Sequence, residues 1–225
     1  MTTNDYPVFS TACRRCERLA AFLDRLHGEH PSHYNRPVPS FGAARPRLLV
    51  VGLAPGLHGA NRSGRPFTGD HAGLLLYRVL YRYGFATRSE SDSIDDGLEL
   101  VDCRITNAVR CVPPENKPTA AEVKTCNGYL RGEIAALAEG GAVLALGGVA
   151  HKALLSAIDR ATGNLKFAHG AIHPLPEGRV LFDSYHCSRY NTNTGRLTEA
   201  MFSMVFGAIR RHLDRVPAPV HRSTA

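Results

Sequence analysis

Four times along the chain a short, almost wholly apolar run is followed by a stretch with helical periodicity. The runs fall at residues 47–53, 104–110, 142–146 and 179–184. The helical stretches fall at 71–83, from 119 onward, at 149–158, and from 194 or 195 to 212. Apolar runs without polar alternation are strands buried on both faces, and strand–helix alternation makes them parallel. The predicted fold is therefore α/β: a single domain over residues 1–215 with a central four-stranded parallel sheet and helices on both faces. Residues 216–225 are expected to form a frayed tail. A length of 225 residues suits one such domain. A further helix is predicted over 13–26 from the spacing of Leu19, Phe22, Leu23 and Leu26. Residues 31–46, with four prolines, read as a connecting loop. Thr119 with Glu122 three residues on is a capping-box pattern.

Ligands bind such sheets beyond the carboxyl ends of the strands. Those ends are residues 52–73, 111–117, 147–148 and 185–195. The first is the most unusual: VGLAPGLHGANRSGRPFTGDHAG, residues 51–73, holds six glycines, two prolines and one carboxylate, Asp70. Glycine lets a backbone come close to whatever it binds. The net charge of +7 fits a polyanionic partner, although an arginine-rich genome would give it too. No run of about 18 apolar residues exists, so no membrane span is expected. The first ten residues lack a signal pattern, and the expected location is cytoplasmic.

Six cysteines in such a chain point to ligation rather than disulfides. Cys13 and Cys16 form a C-x2-C pair, while Cys111 and Cys126 are fourteen residues apart. Four thiolates suit zinc or an iron–sulfur cluster equally by count, and the wide second pair leans toward a cluster without deciding it. Cys103 and Cys187 read as buried core cysteines.

Four stretches carry a resemblance: Cys13-x2-Cys16; GLAPGLHGANRSGRPFTGD, 52–70; TNAVRCVPPENKPT, 106–119, followed by Cys126; and HCSRYNTNTGRLT, 186–198. In this order they resemble the iron–sulfur uracil-DNA glycosylases, most closely the type-5 branch. Type-4 relatives carry an acid where this chain has Leu53. The last motif departs from the usual pattern at Cys187 and Tyr190. The resemblance implies a 4Fe–4S cluster on Cys13, Cys16, Cys111 and Cys126. It also implies a uracil-DNA glycosylase-like fold and action on DNA containing uracil or other deaminated bases.

The chemistry of base removal assigns the remaining residues. A base leaves the duplex by being turned out into a pocket. The backbone at Gly52, Leu53 and Ala54 can approach it, Phe67 offers a stacking face, and Asn107 offers an amide to read a uracil edge. A neutral His186 can donate to the carbonyl oxygen that gains charge. Asp70 can stabilise the sugar cation or polarise water, or be only the cap of the helix from His71. Ser188 and Asn191 are expected to bind phosphate or orient the strand, and Arg189 or Tyr190 to act as a wedge. His151, His169, His173 and His212 read as structural. No lysine in the motifs suits a Schiff base, so the expected enzyme is monofunctional, and a monomer. The alternative is a non-catalytic binder of damaged or single-stranded DNA. A zinc-supported nucleotide hydrolase would need a catalytic metal motif such as H-E-x-x-H, which is absent from the sequence.

Overall fold

The computed structural model describes residues 6–159 and 165–216. Its elements in chain order are α1 (Glu17–Glu29), β1 (Phe41–Gly42), β2 (Leu48–Gly52), α2 (Ala60–Ser63), α3 (His71–Arg82), β3 (Cys103–Asn107), α4 (Ala120–Ala136), β4 (Ala142–Leu146), α5 (Gly148–Ala157), β5 (Ile172–Pro174), β6 (Val180–Ser184), α6 (Arg189–Asn193) and α7 (Glu199–Arg215). The sheet order is β1-β3-β2-β4-β6-β5. The four inner strands are the predicted parallel ones. The sheet is nevertheless six-stranded, because β1 and β5 add antiparallel edges. Two or three residues containing Gly42 or Pro174 show no alternation, so sequence pattern misses them. A proline, which cannot donate, suits an edge.

Every residue of β2 and β4 is buried. Leu48, Val50, Leu144 and Leu146 pack into one core with residues of α3 and α7. Leu49, Val51, Val143 and Ala145 pack into the other with α4 and α5. Each such aliphatic side chain stabilises the fold by about 1.5–3 kcal/mol. α1 belongs to a third cluster with Val109, Val112 and Tyr129.

The helix starts follow their caps. Asp70 Oδ1 accepts from the Gly73 N–H at 2.8 Å, which opens α3 at His71. Both halves of the Thr119–Glu122 capping box form at α4. The last helix begins at Glu199 rather than 194 or 195, because Thr198 caps it. α6, capped by Ser188, occupies part of the gap. α1 begins at Glu17, so Cys13 and Cys16 precede it instead of starting it. The second inner strand stops at Asn107, short of the predicted 110. Val216 of the expected tail accepts a hydrogen bond from Arg47 at 2.9 Å, and the rest of that tail lies outside the described residues. No helix among the described residues is long and apolar enough to cross a membrane.

β2 pairs with β3 on one side and β4 on the other. The chain thus reverses its direction of travel across the sheet beside β2. Such a reversal opens a crevice at the carboxyl ends, where α/β sheets bind ligands.

Candidate nucleic-acid base pocket

Segments following four strands meet around one cavity of ≈ 460 Å³. Leu53 and Ala54 follow β2, Asn107 ends β3, Leu146 ends β4 with Gly147 next to it, and His186 and Ser188 follow β6. The loop after β2 adds Phe67, Asp70 and His71, and the turn Pro114–Asn116 adds Asn116.

Three glycines shape this cavity. A Cβ on Gly52 would lie 2.4 Å from Asn107 Oδ1 and 2.7 Å from Phe67 Cζ. Both side chains therefore rest directly on the Gly52 backbone. Phe67 has φ +56°, a left-handed conformation rare for a bulky residue. Gly73 makes room for it, since a Cβ there would sit 1.9 Å from the Phe67 carbonyl oxygen. Gly59 admits Asp70, whose Oδ2 would be 2.5 Å from a Cβ at that position.

Asn107 is 4% exposed, and its Oδ1 is buried with no hydrogen-bond partner. Buried polar atoms are nearly always paired, so an orphan at a cavity is a group awaiting one. The His186 ring stacks on Phe67, with centroids 5.9 Å apart and planes at 29°. Burial lowers its pKa to about 4, so the imidazole is neutral at neutral pH. Burial raises the Asp70 carboxyl above its ordinary range, and the N–H groups of Gly73 and Ala72 pull it partly back. Only Oδ1 of Asp70 caps α3, which leaves Oδ2 for other work.

The structure brings Leu53, Ala54, Phe67, Asp70, Asn107, His186, Ser188 and Arg189 to the cavity, with Gly52 beneath it. Asn191 is not among the lining residues. Its Nδ2 donates to the His186 carbonyl at 2.8 Å, so its amide holds the loop's own backbone. Ser188 Oγ accepts from the Asn191 N–H while also lining the cavity. Tyr190 stands 71% exposed. The sequence reading missed His71 and Asn116. Asn116 follows Glu115, and both have left-handed backbones, at φ 57° and 55°. The one available signal was an Asn at a strand-end loop.

Cys13, Cys16, Cys111 and Cys126 line a second, small cavity with Arg15 and Tyr129. All six cysteines are free thiols, and Cys103 and Cys187 are buried in the core as expected. Tyr129 donates its hydroxyl to Cys13 Sγ at 3.3 Å. Burial, reinforced by the neighbouring thiols, pushes Cys111 up to about 12. Arg18 grips Glu122 through two bonds of 2.8 Å, joining α1 to α4 beside this cavity.

His151, His173 and Asp183 form another tight group. His151 and His173 meet the two Asp183 oxygens at 2.9 and 3.1 Å, and His151 Nε2 donates to the Leu165 carbonyl at 2.8 Å. Hydrogen bonds close this group, which suits the structural role expected of both histidines.

The sequence profile of the uracil DNA glycosylase superfamily matches residues 39–210. A type-5 uracil-DNA glycosylase of Thermus thermophilus is 45% identical over 206 residues, covering 89% of this chain and 94% of that protein. A type-5 uracil-DNA glycosylase of Pyrobaculum aerophilum is 43% identical over 190 residues, covering 83% and 82%. A type-4 uracil-DNA glycosylase of the same organism is 33% identical over 144 residues, 64% of each chain.

Proposed function

This chain belongs to the uracil-DNA glycosylase superfamily, among its type-5 enzymes, and we propose that it turns uracil and other deaminated or damaged bases out of DNA into the cavity at the strand ends and cuts them off there. It is a hydrolase of N-glycosyl bonds, and its work is uracil excision in DNA repair. The observation that carries the reading of the cavity is the orphaned Oδ1 of Asn107 beside the Phe67 ring. An aromatic face next to an unpaired carboxamide suits a flat base with amide-like edges. The absence of an acid at Leu53 leaves that wall apolar, which supports a base range wider than uracil.

As the bond between sugar and base lengthens, its electron pair moves to the base, where a carbonyl oxygen gains negative charge. His186, neutral because it is buried, donates an N–H to that oxygen. The sugar becomes an oxocarbenium-like cation. Asp70 Oδ2, free of the helix cap, faces this charge and polarises the water that adds to the sugar carbon. Asp70 takes a proton from the water as its oxygen bonds to the sugar carbon, and the departed base anion takes up a proton, so water is added across the broken bond and the products are free base and an abasic site. Among the described residues no lysine lines the cavity, which supports a single hydrolytic step without strand cleavage. Arg189, which lines the cavity, or Tyr190, which is exposed, would fill the gap in the duplex. The net charge of +7 suits the phosphate backbone.

The donor set at the second cavity fits a 4Fe–4S cluster: four thiols, none in a disulfide, lining one space. Cys13, Cys16, Cys111 and Cys126 would hold it. When bound it supplies a structural tie rather than a reacting atom, joining the segment before α1 to residue 111 and to α4.

The test is a single-turnover assay on a uracil-containing duplex. Uracil should be released, leaving an unnicked abasic strand. Binding without release would instead return the chain to a non-catalytic reader of damaged DNA. Asn107→Ala should lose more discrimination between damaged and undamaged duplex than overall affinity.

A further inference from the structure

His71 directly follows Asp70 and lines the cavity, yet the chemistry described above gives it no part. Its Nε2 lies 2.9 Å from Thr192 Oγ1, on α6. The Thr192 hydroxyl has one proton, and the carbonyls of Ser188 and Arg189 lie 3.2 and 3.1 Å away to receive it. With that proton turned to a carbonyl, Thr192 Oγ1 accepts and His71 donates Nε2–H to it.

The bond's place in the molecule matters more than its strength. Among the described residues it is the one side-chain hydrogen bond between residues 51–73, which carry Asp70, and residues 185–198, which carry His186. α6 is only five residues long and cannot hold its own geometry by helix formation. It begins at Arg189, next to Ser188, and both line the cavity. Asn191 of the same helix holds the His186 carbonyl.

We propose that His71 is a positioning residue: its imidazole fastens α6 to the start of α3, so that the two loops presenting His186 and Asp70 are held at a fixed separation when a base is bound. This rests on the glycosylase reading above. A catalytic arrangement of two groups from separate loops is sensitive to small displacements, so a tie that touches neither reacting end still affects the rate.

A double-substitution cycle tests it. Thr192→Val keeps the shape and removes the hydroxyl, whereas Thr192→Ser keeps the hydroxyl. In single-turnover uracil excision, Thr192→Val and His71→Ala should each be slower by about fivefold, the scale of one hydrogen bond. The double variant should be no slower than the worse single one, and Thr192→Ser should stay within about twofold of the parent. Affinity for undamaged duplex should not move, because phosphate contacts dominate it. Losses that multiply in the double variant, or a serine variant as slow as the valine one, would overturn the proposal. Amide hydrogen exchange separates this from failure of the glycosylase reading. Thr192→Val should speed exchange at the 192–197 amides whether or not uracil is released, and unchanged exchange there would also overturn the tie.

Discussion

In the cavity at the strand ends, Phe67 and Asn107 rest on Gly52, and Asp70 is locked by a cap bond to Gly73. The cysteine cavity is assembled otherwise. Its four thiols come from the segment before α1, from the loop after β3 and from within α4, and no disulfide joins them. Its nearby ties are the Arg18–Glu122 pair and the Tyr129 contact to Cys13. The first site is thus a product of folding, while the second, on the cluster reading proposed above, is a place where an added group would help to complete the fold. Substitutions in the first should cost chemistry, and substitutions in the second should cost order.

The sharpest way to break that distinction is at His186. His186→Ala should slow uracil release on the order of 100- to 1,000-fold in single-turnover assays, as loss of an oxyanion donor does elsewhere. The melting temperature should change little. A nearly active variant would remove the donor argument. Asp70→Asn comes next. Asparagine caps a helix as well as aspartate, so the fold should hold. Excision should still fall about 100-fold, because the free carboxylate oxygen is lost. A near-normal rate would reduce Asp70 to a helix cap. For Asn107→Ala the preference for uracil-containing over undamaged duplex should fall about tenfold in competition binding, against a small change in total affinity.

On the other side of the comparison, Cys111→Ser should cut iron from about four per chain to below one. Residues 6–37 should become more sensitive to protease. Excision per folded molecule should fall by less than about fivefold. Abolished excision in a variant with intact α/β structure would place the cysteines inside the chemistry and erase the distinction.

The smallest effect concerns pH. On the proposed mechanism His186 acts in its neutral form, and desolvation lowers its pKa from 6.5 to about 4. Its contribution to the rate should therefore be flat between about pH 6 and 8, within about twofold, and fall only as pH approaches 4. Between 6.5 and 4 the unfolded chain binds a proton at this ring that the folded chain excludes. This group's contribution to stability is therefore complete above that window and lost as pH falls through it. A His186-dependent rate change centred near pH 6.5 would show that the ring is not desolvated.

The elements most legible in the sequence are those with strong local causes. LLVVG at 48–52 and AVLAL at 142–146 are buried on both faces, and such strands carry unbroken apolar runs. The Thr119–Glu122 box states its own helix start. The edge strands were invisible because pairing with a neighbour, not composition, makes them strands. α6 was missed because Arg189–Asn193 has no apolar face, only Ser188 as a cap. In the pocket, Phe67, Asp70, Asn107 and His186 were readable because base removal calls for side chains of these types and each stands in one of the motifs; the fold brings all four to one cavity. His71 and Asn116 were not, because their relevance comes from where the α3 start and the Pro114–Asn116 turn arrive in space. Asn191 has a contact that its place in the motif did not announce: its Nδ2 donates to the His186 carbonyl, a bond within the loop's own backbone.

Gly52 carries a consequence for how this enzyme can diversify. The Phe67 ring and the Asn107 amide, to which the proposed function gives stacking and edge reading, share one floor, a single α-carbon without a side chain. A change that shifts either partner disturbs the other, so the two traits are inherited as a pair and cannot drift apart by small steps. New base preferences must then arise on the opposite terms, at positions free of that shared support. Asn116 and Leu146 line the same cavity from other elements, the Pro114–Asn116 turn and the end of β4, and selection for an altered substrate range should accumulate its first changes there.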